Sequence, residues 1–102
     1  MSPPLVPQVN QELHFVLCDF GKHGQAYVET EPGQADRDTI VRNFIGGEYD
    51  RPISVIACNP TEGWARDVSE SIAREIATTD DDLLPAGTRA FIRRLLTSSA
   101  SK

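Results

Sequence analysis

Ile53-Ser54-Val55-Ile56-Ala57-Cys58-Asn59-Pro60-Thr61-Glu62-Gly63-Trp64, running on through Ala65 to Ala77, decides how the fold is read. Residues 53–58 are apolar and β-prone, as in a buried strand. The next residues carry the signature of a helix start: Asn59 as N-cap, Pro60 at the first helical position and Glu62 two residues on. Trp64, Ala65, Val68, Ile72, Ala73 and Ile76 then recur at helical spacing. Arg66, Asp67, Glu70 and Arg74 fall on the other side, with Glu62–Arg66 and Glu70–Arg74 at the favourable i,i+4 offset. The expectation is strand, tight loop, long amphipathic helix. A helix start at Asn59 would present free backbone N–H groups to an anion, which makes Asn59, Thr61, Glu62, Gly63 and Trp64 a candidate ligand-binding loop.

Upstream, Leu13 to Phe20 is apolar on both faces and reads as a strand covered on both sides, or a central one. Gly21-Lys22-His23-Gly24 follows, with glycines suited to a tight connection. Gln25 to Thr30 alternates, Ala26 and Val28 against Gln25, Tyr27 and Glu29, so the two runs form a β-hairpin. Pro32-Gly33 breaks that strand. Asp36 is placed to cap a helix whose stripe is Ile40, Val41, Phe44 and Ile45, and Gly46-Gly47 ends it. Asp80-Asp81-Asp82 is a solvated acidic turn ahead of a last helix over about 85–96, with Leu84, Phe91, Ile92 and Leu95 on its apolar side and Arg89, Arg93 and Arg94 around the rest.

These elements predict an α+β two-layer fold in the order β-β-α-β-α-α, a three-stranded sheet in the order 2-1-3 with helices packed on it. Residues 1–11 hold three of the seven prolines and read as a flexible N-terminal tail; 12–97 form one α+β domain; 98–102 read as a frayed C-terminal tail. At 102 residues one modest core is the natural size. In the sheet order 2-1-3, the 21–24 turn and the Asn59 loop lie at opposite ends of the sheet. They are two separate candidate sites.

The formal charge of −5 argues against a protein that works by neutralising phosphates, which needs clustered Lys and Arg. There is no apolar run long enough for a membrane span and no secretory n- or h-region at the start, so a cytoplasmic location is expected. Cys18 and Cys58 read as two buried thiols in a reducing compartment.

Few residues point to chemistry. Asp19-Phe20-Gly21 is similar to the metal-binding segment of protein kinases, but the Gly-rich loop, the strand Lys and the catalytic-loop Asp and Asn that segment works with are missing. Gly21-Lys22-His23-Gly24 has the GxxG form of KH domains, where it joins two helices; here it joins two strands. As a turn it needs no function; as a contact it would offer Lys22 and His23 to a phosphate. His14, Cys18, His23 and Cys58 lack zinc-site spacing, so neither metal nor cofactor is expected. A Cys58–His14 nucleophilic pair would need the antiparallel pairing of strands one and three to bring those side chains together.

Leu17-Cys18-Asp19-Phe20-Gly21, Ala26-Tyr27-Val28-Glu29-Thr30 and Glu62-Gly63-Trp64-Ala65-Arg66-Asp67-Val68-Ser69 resemble segments of a family of small hypothetical proteins from alphaproteobacteria, over roughly residues 13–77. That family carries no established activity. The resemblance implies a stand-alone bacterial domain and no catalytic residues.

Two functional readings follow. The first is a small non-enzymatic bacterial interaction module whose partner is a protein, or a second copy met through an edge strand or the last helix. Glu29 and Glu31 would blunt the edge at strand 25–30, giving a monomer or weak dimer. The second is a small anionic-ligand binder or enzyme built on the Asn59–Trp64 loop. An RNA contact through Lys22, His23 and the arginines of the last helix is the weakest.

Overall fold

The sheet is laid down by two hairpins that meet at a central seam. In the computed structural model, which describes residues 12–28 and 32–100, β1 (Leu13–Asp19), β2 (Gln25–Tyr27), β3 (Pro52–Asn59) and β4 (Trp64–Asp67) form one antiparallel sheet in the order β2-β1-β3-β4. Three helices, α1 (Arg37–Ile45), α2 (Ser69–Ile76) and α3 (Ala86–Ala100), complete an α+β fold. The order 2-1-3 is present with a fourth strand added beside β3. The tail expected at 1–11, the end of strand 25–30 with Glu29, and Glu31 lie outside the described residues. So do residues 101–102 of the expected C-terminal tail, whereas α3 itself continues to Ala100.

The first hairpin turns as expected. Gly21 and Gly24 take φ of 67° and 86°, and the Phe20 amide donates to the Gly24 carbonyl at 2.8 Å. The Asp19 carboxylate accepts from the Gly21 amide at 2.8 Å, an Asx-type closure. Asp36 caps α1, accepting from the Thr39 amide at 3.0 Å and the Thr39 hydroxyl at 2.6 Å. Gly47 at φ 80° stops the helix. Arg37, the first residue of α1, reaches Glu75 at 2.7 Å and the Ser71 hydroxyl at 2.8 Å, tying α1 to α2.

The second hairpin corrects the sequence reading. Residues 64–67 are strand, paired Asn59↔Trp64 through Ile56↔Asp67, and the helix starts only at Ser69. The capping signal is real but short-lived. Asn59 Oδ1 accepts from the Glu62 amide at 3.0 Å, and the Gly63 amide donates to the Asn59 carbonyl at 2.7 Å, a single helical turn. Gly63 then takes φ of 77°, which reverses the chain. Glu62 and Arg66 therefore share no helix, whereas Glu70 and Arg74 do pair, at 3.0 Å.

Burial corrects a second expectation. Along β1 and β3 every other side chain is buried: His14, Val16 and Cys18, then Val55, Ala57 and Asn59. Val16, Cys18 and Val55 join Ile40, Phe44, Ile72, Ile76 and Phe91 in one core cluster between sheet and helices. Leu13, Phe15, Leu17, Ile56 and Cys58 alternate with these, are only partly buried, and are not part of that cluster. The strands are apolar on both sides, but the helices pack on one. Among the described residues, no helix is long and apolar enough to cross a membrane.

Candidate functional site

The register assembles the sheet's second face row by row. Residues paired across an antiparallel ladder point the same way, so Tyr27, Leu17 and Ser54 form one row, Phe15, Ile56 and Asp67 the next, and Leu13, Cys58 and Ala65 the third. Tyr27 is 53% exposed, and Ala65 and Asp67 are exposed as well. The middle of this surface, from Leu17 and Phe15 to Ile56, is aliphatic and aromatic. Charge enters at its margins, with Asp19 at the end of β1 and Asp67 on the edge strand β4. The signal was in the sequence: the odd-numbered positions 13, 15 and 17 are as apolar as their buried neighbours.

The Asn59–Trp64 loop has a different character from the one its sequence suggests. No helix begins there, so the anion-binding argument loses its physical basis. Asn59 is buried at 3% exposure and its side-chain oxygen is engaged within the turn. Trp64 sits on the helix side of β4, half-buried, with Nε1 donating to Glu62 at 2.7 Å and the Arg66 guanidinium 4.1 Å above its ring. Thr61, Glu62 and Gly63 are exposed at the tip.

Lys22 and His23 are both exposed at the tip of the first hairpin. They lie at the opposite end of the sheet from Asn59, as the pairing Cys18↔Pro52 and Leu13↔Cys58 requires. The structure does not bring the two candidate sites together.

His14 and Cys58 do not meet either. His14 is buried on the helix side, where Nδ1 lies 3.0 Å from the Ala35 carbonyl and its amide donates to the same oxygen at 2.9 Å. Cys58 is on the other face, opposite Leu13. Among the described residues, no group of three or more His, Cys, Asp or Glu is placed to hold a metal ion. Burial, reinforced by Asp50, pushes the Cys18 thiol up.

A shallow cleft of about 210 Å³ lies between the start of α3 and the end of the seam, lined by Asp19, Arg51, Pro52, Ile53, Gly87 and Phe91 among others. Its two guanidinium groups differ in what they meet. Arg94 donates to the Ile53 carbonyl, and the guanidinium of Arg51, whose φ is 52°, lies beside Gly21. Gly87 packs closely here, and a Cβ would come within 3.3 Å of the Arg51 backbone nitrogen.

No family model, curated protein or solved structure matches the chain.

Proposed function

We propose that this chain is a small non-enzymatic interaction module that binds a protein partner across the open face of its sheet. The observation that carries the reading is the row structure of that face: Phe15, Leu17, Ile56 and Tyr27 are contiguous and lie outside the core cluster. Scattered surface hydrophobes need no explanation, but a contiguous apolar patch rimmed by polar groups marks an interaction surface. Phe15 at its centre, Tyr27 on the edge strand and carboxylates at its margin match the anatomy of a protein interface.

The test is site-specific photo-crosslinking in the producing cell. A photoreactive residue at position 56, on the face, should give an intermolecular adduct of one defined mass. The adduct should be lost when Phe15→Glu is added and the chain still shows its native circular dichroism. The same group at position 93, on the exposed side of α3, should give none. Adducts of equal yield from both positions, or no intermolecular adduct from position 56, would sink the reading.

A further inference from the structure

We infer that the cleft between the start of α3 and the end of the β1–β3 seam is a binding site for a carboxylate carried on a small apolar group. The site lies against α3, apart from the open face of the sheet, and stands independently of the interaction reading.

The cleft is built from two elements. Gly87, Ala90, Phe91 and Arg94 recur at i, i+3, i+4 and i+7, so one stripe of α3 lines it. Pro52 and Ile53, at the start of β3, line it from the sheet, together with Asp19 and Arg51. Proline, isoleucine, alanine and phenylalanine make the lining apolar, and the two arginines give it charge. At about 210 Å³ the cleft is smaller than the roughly 300–1,000 Å³ that holds a drug-sized molecule. That size suits a small acid or the last residue of a chain.

Arg51 carries the inference. Among the described residues its guanidinium has no hydrogen bond or ion pair, in a chain with 15 acidic residues against 10 basic. Its backbone, by contrast, is fixed from two directions. The Arg51 carbonyl accepts from the Asp19 amide at 3.1 Å, and a Cβ on Gly87 would lie 3.3 Å from the Arg51 backbone nitrogen. Among the described residues, Arg51 is also the one residue other than glycine with a positive φ, at 52°. That conformation is strained for a side chain, and such strain collects at ligand-binding positions. The packing thus holds an unpaired cation on a rigid base beside an apolar cleft.

Arg94 adds a second cation. It donates to the Ile53 carbonyl, and its guanidinium carbon lies 5.9 Å from the centre of the Phe91 ring. The Ile53 bond uses only part of the guanidinium's donor set, and the rest suits a planar carboxylate. Asp19 sets the charge of the ligand. Its carboxylate accepts from the Gly21 amide at 2.8 Å, and the residue stays in the lining of the cleft. Two guanidinium groups and one carboxylate leave a single net positive charge, which matches a carboxylate better than a phosphate dianion.

An amide-resolved NMR titration of the full chain with phenylacetate tests the site. The amides of Arg51, Ile53, Gly87 and Arg94 should shift saturably at millimolar concentrations. Phenylacetamide, which keeps the ring and loses the charge, should leave them in place. Phenyl phosphate, held above its second pKa, should bind more weakly than phenylacetate. Arg51→Gly removes the guanidinium and suits the left-handed backbone, so it should keep the native circular dichroism. It should weaken phenylacetate binding roughly tenfold, the scale of a charged hydrogen bond. An acetylated peptide ending in phenylalanine with a free carboxylate separates the two sources of the ligand. Tighter binding than phenylacetate assigns the cleft to chain termini, and weaker binding assigns it to free acids. Equal shifts from phenylacetamide overturn the inference, as do undiminished binding in folded Arg51→Gly and tighter binding of phenyl phosphate. So does the lack of any saturable shift up to about 10 mM phenylacetate.

Discussion

The Ser69 hydroxyl accepts a hydrogen bond from the Val55 amide at 2.7 Å and lies 3.4 Å from the Val55 carbonyl, which also receives the Val68 amide at 2.9 Å. β4 stops at Asp67, and a side chain at the start of α2 completes the ladder that the strand leaves open. Ser69 is 3% exposed, so no water replaces it easily. Ser69→Ala should destabilise the fold by about 1–3 kcal/mol, the range for leaving a buried donor unpaired. Urea unfolding should show a lower midpoint at an unchanged slope.

The two faces of the sheet should be separable by truncation of one residue type. Ile72 is fully buried in the core cluster, and Ile72→Ala should cost about 2–5 kcal/mol. Ile56 is only partly buried and lies outside that cluster, so Ile56→Ala should cost clearly less than Ile72→Ala. Equal losses in chemical unfolding would show that both sheet faces are packed alike.

Cys18 and Cys58 should not form a disulfide. They lie on opposite faces and at opposite ends of β1 and β3, with Cys18 beside Pro52 and Cys58 beside Leu13. A bond needs Cα atoms within about 7 Å. In native protein Cys18 should label more slowly than Cys58, because its thiol is buried and its pKa is raised. Peptide mapping after a short alkylation pulse decides the order.

Acid should weaken the cap of α1. The bonds from Thr39 hold the Asp36 carboxyl below its ordinary pKa. A depressed folded pKa stabilises the fold above the unfolded value, about 3.9, and that contribution is lost as pH falls through the folded value. Asp36→Ala should cost about 0.5–2 kcal/mol at neutral pH, as other N-caps do. The gap from wild type should narrow as pH drops below about 4. A gap that stays constant down to pH 2 would contradict the ionised cap.

Burial should make the fold sensitive to alkali. Cys18 and Tyr49 both have pKa values raised by desolvation. Their neutral forms stabilise the fold fully below the unfolded pKa values, and that contribution is lost as pH rises through the folded ones. Stability should begin to fall above about pH 8.5, the ordinary thiol range. Cys18→Ala should move the onset towards about pH 10, where Tyr49 takes over.

How much of this was legible in the sequence depended on whether the deciding interaction was local. The Gly21–Gly24 turn, the Asp36 cap and the Gly47 stop are contained within a few residues, and the residue types name them. Asn59 is a cap, but of one turn and not of the long helix its sequence suggests. Its bonds to Glu62 and Gly63 are the same in a helix and in a one-turn reversal. Only the positive φ of Gly63 separates the two, and a glycine four places after a cap tolerates either. The i,i+4 charges then reinforced the helix pattern, although Trp64 and Arg66 serve a strand edge. The open face is legible in the sequence as apolar, but not as uncovered. Phe15 and Ile56 carry the composition of buried residues, and hydrophobicity says that a surface seeks cover without saying what supplies it.

The seam between β1 and β3 governs the order of events in folding. Each hairpin closes over a handful of residues, as does the cap on α1, so these pieces form locally and fast, hairpins in roughly 1–10 μs. The pairs that join them, from Cys18↔Pro52 to Leu13↔Cys58, bring together residues about 40 apart in sequence. Closing that loop is the slow, entropically opposed step. Until it happens, each hairpin carries an unpaired central edge, and the edges of β1 and β3 are the most apolar strands in the molecule. The interval before the seam closes is therefore when the nascent chain is most exposed to pairing with a neighbour, and substitutions that slow seam closure should raise aggregation during refolding before they lower equilibrium stability.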